Sequence, residues 1–206
     1  MTTAPTRRLA GEFALIFLAA PLLVLAVKSR LLMFVLLWTG ALIAARALPA
    51  DAGAVDVRRE LRGIALRFAM LAPLITLLTW LALPEAFLSF PRQRPWLWLT
   101  VMTLYPVLSV WPQEMIFRRF LRTRYAPLFG TGRGYLAASA LAFGYAHIVL
   151  LNGVAVAMTA LGGALLAANY ARHRRLVLVC LEHALYGCLI FTVGLGRFFF
   201  SGAVWH

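Results

Sequence analysis

The chain has 206 residues, of which 63% are hydrophobic and 13% charged, with a formal net charge of +13 and a mean hydropathy of +0.84. Ordinary soluble domains are about half apolar and a quarter charged, so this composition excludes a water-soluble fold and predicts an all-α, polytopic transmembrane helical bundle. The basic residues fall between apolar runs, where arginine orients spans and meets anionic headgroups; they are read as topology signals with the lipid bilayer as partner, and not as a nucleic-acid patch.

In chain order, apolar runs at 13–27, 31–48, 64–84, 96–117, 135–151, 154–171 and 176–200 predict about seven spans. Arg7 and Arg8 before the first run imitate a signal peptide, but more spans follow, so the run is kept as a first span, short for a full crossing. The segment from Pro49 to Val57 is a mixed-charge loop expected beside the substrate entrance. Trp96, Trp98, Trp111, Tyr125 and Tyr135 lie near the expected ends of the fourth and fifth runs, as headgroup-level rings do. Gly130 to Gly134 reads as a flexible turn, because no strand precedes it and no Lys-Ser/Thr follows, as a phosphate loop requires. Cys180 and Cys188, two turns apart in the seventh run, are buried thiols. No internal repeat is evident, and residues 1–206 form a single membrane domain.

Sorted by alternate loops, fifteen Lys and Arg fall on the side of the N-terminus and five on the other, namely Lys28, Arg30, Arg92, Arg94 and Arg197. That asymmetry predicts a cytoplasmic N-terminus and an outside C-terminus in a multi-pass membrane protein, for which the bacterial inner (plasma) membrane is the expected location.

Five acidic residues, Glu12, Asp51, Asp56, Glu60 and Glu85, sit at span ends or in loops, whereas Glu114, Glu182, His147 and His183 lie inside apolar runs. Ionisable groups in spans face a shared interior and mark function. If the fourth helix continues to Arg124, Glu114 and His147 lie at similar depths, about 17 to 20 Å from the intervening turn, while His183 lies only about 12 Å beyond Arg175. Pro112, with Pro106, bends the fourth helix beside Gln113 and Glu114 and frees the carbonyl of Leu108. Structural roles compete for each group: Glu114 pairs with Arg118 in the favourable i, i+4 order, and His147 is a neutral histidine bonded to a carbonyl. Glu182 pairs with Arg197 or Arg67. Tyr186 shares the helix face of His183 and offers a hydroxyl.

Three segments carry a resemblance: Pro112-Gln113-Glu114-Met115-Ile116-Phe117-Arg118, Phe143-Gly144-Tyr145-Ala146-His147, and His183-Ala184-Leu185-Tyr186-Gly187. In order and spacing they resemble the motifs of the CAAX prenyl endopeptidase and bacteriocin-processing (CPBP) intramembrane proteases, which include lysostaphin resistance protein A-like members: Glu-Glu-x-x-x-Arg, Phe-x-x-x-His and His-x-x-x-Asn. The match spans roughly residues 96–200 and implies a protease-like core there. It differs at Gln113, where the family has the first Glu, and at Gly187, where it has Asn.

The resemblance implies hydrolysis of a peptide bond within the membrane, in a peptide or a prenylated protein C-terminus, by water that a Glu and a His activate. It implies catalytic roles for Glu114, His147, His183 and position 113, and supporting roles for Arg118, Phe143, Tyr186 and position 187. Because an amide cannot accept the proton, Glu114 is expected to take the base role, turned by the bend at Pro112, with His147 as partner and His183 as oxyanion donor. No metal is assigned, although two histidines and a glutamate form the kind of set that takes a divalent metal such as zinc. Two other readings follow from the same residues. One is a catalytically silent relative that binds a membrane partner, disabled by Gln113 and Gly187; the other is a proton or metal-ion pathway through the Glu and His groups.

Overall fold

The computed structural model describes residues 4–49 and 55–199, and among them there are helices and no strand. Seven helical rods correspond to the seven apolar runs: α1 (Thr6–Val27), α2 (Arg30–Ala47), α3 (Val57–Ala82), α4 (residues 95–124), α5 (Arg133–Ala146), α6 (Gly153–His173) and α7 (Leu176–Val193). Five of these, α1, α2, α3, α6 and α7, are long and apolar enough to cross a membrane. Most of the predicted loop at 49–57, including Asp51, lies outside the described residues.

Side-chain caps set several helix starts. Ser29 accepts from the amide of Leu32, Asp56 from Arg59 and Asn152 from Ala155, each relieving one of the unpaired amides of a first turn. Asn152 also donates to the carbonyl of Phe198, tying the chain's last short helix, Leu195–Phe198, to the start of α6.

The first span is longer than the apolar run implied. Its helix includes Arg7, Arg8 and Glu12, whose polarity ended the hydropathy window early. Glu12 is accommodated because Arg124, at the end of α4, grips it with Nε and Nη2 at 2.9 and 2.7 Å and Tyr125 donates to it at 3.0 Å. Tyr125 and Tyr135, at the facing ends of α4 and α5, are both wholly buried against neighbouring helices. Trp111 is half-buried at mid-helix in α4, its ring centred 5.5 Å from that of Trp38 of α2 and tilted 35° to it.

Helix α4 is the axis of the bundle. It runs unbroken from Pro95 to Arg124 but widens into π-helical turns at Pro106–Val110 and Met115–Phe120. Each proline removes an amide hydrogen, and in lipid the carbonyl left over needs another donor. The Trp38 indole supplies one, bonding the carbonyl of Leu108 at 3.0 Å. The carbonyl of Met102, four residues before Pro106, faces the Cys188 thiol at 4.0 Å.

Small residues bring α5 and α6 together. A Cβ on Gly144 would stand 2.8 Å from that of Ala160, and one on Gly163 would stand 3.3 Å from the Cα of Ala140. In lipid such close backbone approach supplies the packing that water expulsion supplies elsewhere. The buried core, including Phe17, Ala41, Phe117, Phe143, Leu166 and Val179, lies where α1, α2, α5, α6 and α7 surround α4. Leu31, Met70, Leu81, Leu161 and Val177 are among many large apolar side chains left exposed, the outward face expected against acyl chains.

A second polar tie crosses the bundle. Glu182 of α7 is fully buried and accepts from Arg67 of α3 at 2.8 and 3.2 Å and from Asn169 of α6 at 2.7 Å. Of the two arginines expected for it, Arg67 is the partner; Arg197 instead lies over the ring of Phe198. Three helices are fixed to one carboxylate, with each oxygen satisfied.

Candidate active site

The two π turns bracket the short α-helical stretch Trp111–Glu114, and such bulges recur at functional sites because they rephase the side chains around them. Successive residues there point about 100° apart, so Gln113 and Glu114 cannot face the same way. Gln113 lines a partly open cavity of about 1160 Å³, and Glu114 does not.

Glu114 is instead wholly buried behind the cavity wall, between Arg118 and His183. The Arg118 Nε lies 3.0 Å from its Oε2, an ion pair between two fully buried groups rather than an aligned hydrogen bond. Its Oε1 accepts from His183 Nδ1 at 2.8 Å. Arg118 also donates to Ser139 of α5 at 2.8 Å, Ser139 donates on to the carbonyl of Phe117, and the guanidinium lies 4.6 Å above the Phe143 ring. The expected pairing of Glu114 with His147 is thus replaced by a pairing with His183. Depth along the helices gave no information on azimuth, and azimuth decides the partner.

His147 starts the 3-10 turn that ends α5. Its Nδ1 meets the carbonyl of Phe143 at 2.7 Å; a carbonyl only accepts, so Nδ1 carries the hydrogen and Nε2 keeps its lone pair. The Phe143 ring stands edge-on to both imidazoles, 4.8 Å from His147 and 5.7 Å from His183. His147, His183, Gln113, Tyr186 and Gly187 all line the one cavity, so the three sequence segments converge. Tyr186 packs on Phe68 of α3 at 5.4 Å, and its buried hydroxyl has no hydrogen-bond partner.

Gln113 donates its amide to Ser109 at 2.7 Å, which leaves its carbonyl oxygen as an acceptor. The sequence motifs miss Tyr105, whose hydroxyl lies 3.1 Å from His183 Nε2. Nothing in an apolar run marks one tyrosine as special, and only the crossing of α4 over α7 reveals it.

The donor set does not fit a resident metal ion. Both ring nitrogens of His183 are already bonded, to Glu114 and to Tyr105, which leaves Nε2 of His147 as the imidazole nitrogen of this pair open to an ion. Among the described residues no three His, Cys, Asp or Glu side chains stand close enough to share an ion.

The remainder of the cavity is apolar, walled by side chains such as Phe17, Leu37, Ile75, Leu165 and Ile190 from five helices. Buried imidazoles, an amide and a phenol at one end of such a space can orient a polar bond whose flanking groups are greasy. No curated protein and no solved structure significantly matches the chain. Residues 94–189 match the family described as type II CAAX prenyl endopeptidase Rce1-like, and this stretch contains all three motif segments. Helices of spanning length make the chain an integral membrane protein, and its residues 94–189 are similar to the Rce1-like CAAX endopeptidase family.

Proposed function

We propose that the protein is an intramembrane endopeptidase that hydrolyses a peptide bond of a membrane-associated or lipidated substrate, such as a prenylated protein C-terminus, with its own N-terminus on the cytoplasmic side. The observation that carries this reading is the convergence of His147, His183 and Gln113 on one large, mainly apolar cavity.

His147 is the general base in this reading, because its Nδ1–H is committed to Phe143 and its Nε2 lone pair is the one left to take a proton. Water loses that proton as its oxygen attacks the scissile carbonyl carbon; the carbonyl's π pair moves onto oxygen. When the tetrahedral intermediate collapses, the C–N bond breaks and His147 returns the proton to the leaving amine. The Gln113 carbonyl oxygen cannot take the proton, but it can accept a hydrogen bond from the water and aim it. Glu114 is a positioning residue: it fixes the His183 ring, and Arg118 neutralises it. The fifteen-to-five distribution of Lys and Arg supports the sidedness.

The test is cleavage of a quenched peptide library, prenylated and unprenylated, by the full chain in liposomes. Wild-type cleavage with loss in His147→Ala is the expected result, and Glu114→Gln should be impaired. Folded protein that cleaves nothing but retains a bound peptide would instead establish the silent binding relative.

A further inference from the structure

Position 187 has no side chain, yet the space beside it is filled. A Cβ built on Gly187 would stand 2.4 Å from the hydroxyl oxygen of Tyr105 and 2.3 and 2.5 Å from two of its ring carbons. Tyr105 therefore occupies the volume that any larger residue at 187 would need. Its ring is wedged edge-on against Phe191, at 5.4 Å, and against His183, at 6.1 Å. Tyr105, His183 and Gly187 all line the cavity beside Gln113 and His147.

The hydroxyl belongs to a chain of contacts that runs inward from the cavity: Tyr105 to His183 Nε2, His183 Nδ1 to Glu114, and Glu114 to Arg118. With Nδ1–H of His183 serving Glu114, its Nε2 faces the phenol oxygen, and the hydroxyl hydrogen turns about the C–O bond to reach either Nε2 or an acceptor placed in the cavity.

We propose that Tyr105 is a catalytic residue of this site: its hydroxyl donates to the carbonyl oxygen as that oxygen becomes negative, from the space where residue 187 offers only hydrogen. The proposal rests on the peptidase reading above. No proton leaves Tyr105 in the step, which otherwise balances as described for His147.

The test uses the full chain in liposomes with the best-cleaved peptide. Tyr105→Phe keeps the ring and removes the donor; kcat is expected to fall by about 10²- to 10³-fold with KM nearly unchanged and thermal stability retained. In Tyr105→Ala the cavity beside 187 opens, and adding Gly187→Asn to that variant is expected to restore kcat by about tenfold or more, a rescue that a purely packing role would not produce. Wild-type kcat in Tyr105→Phe, or a change confined to KM, would overturn the assignment and leave the peptidase reading standing. If wild type cleaves no peptide, the peptidase reading fails, and binding of a peptide phosphinate, a tetrahedral anion, tests the tyrosine separately. Affinity weaker by about tenfold in Tyr105→Phe supports a donor at that position, and equal affinity refutes it.

Discussion

Replacing Arg118 with methionine should be among the most damaging single changes in the protein. Arg118 and Glu114 are both fully buried, and their ion pair joins two residues one turn apart on α4. Loss of the guanidinium strands a carboxylate whose remaining partner is His183, a situation that costs about 3–5 kcal/mol when one member of a buried pair is removed. The cation–π contact with Phe143 contributes a further ~1 kcal/mol. Removing both charges, in Glu114→Gln with Arg118→Met, should cost less than Arg118→Met alone, because no ion is left uncompensated. The expected coupling is thus about 2–3 kcal/mol, obtained from a double-mutant cycle. Reversible unfolding by denaturing detergent in mixed micelles, followed through tryptophan fluorescence, gives the four stabilities. A single-variant loss under ~1 kcal/mol, or a double variant that costs the sum of the singles, would refute the view that the two charges stabilise each other in the interior.

Glu182→Gln keeps the shape but leaves the Arg67 charge unmatched between α3 and α7, and should lower stability in the same assay by about 2–3 kcal/mol. Trp38→Phe should cost about 1 kcal/mol, since the Leu108 carbonyl beside Pro112 loses its donor where no water can substitute. Gln113→Glu places a carboxylate on the cavity wall and should raise kcat in the liposome assay, by up to about 10²-fold; an unchanged rate would mean that proton abstraction does not limit turnover.

The apolar helices and the meeting of the three segments were legible because both follow from local signals: apolar length, and ionisable residues that lipid will not tolerate alone. Pro112 also announced its own consequence, a stranded carbonyl at Leu108, although not that Trp38 would serve it. What the sequence hid was rotational phase. Pro106 and Pro112 marked a bend but not its phase, and with π turns at 106–110 and 115–120 it is Gln113 and not Glu114 that lines the cavity. The partner of Glu114 was missed for the same reason. Tyr125, read as interfacial, is buried and donates to Glu12 on a distant helix, a partner that no local signal could name.

The cavity rim includes Leu15, Ile43 and Leu161, all exposed on the faces of spanning helices. The space therefore communicates with the acyl-chain layer, sideways, as well as with any aqueous opening. Its occupants are then counted per lipid and not per litre. At a fixed amount of enzyme and substrate, adding inert lipid or detergent dilutes the two-dimensional pool and should slow turnover, so rates for this protein belong on a mole-fraction scale. A ligand's partitioning into the bilayer would weigh as heavily on its apparent affinity as its contacts with His147 or Gln113.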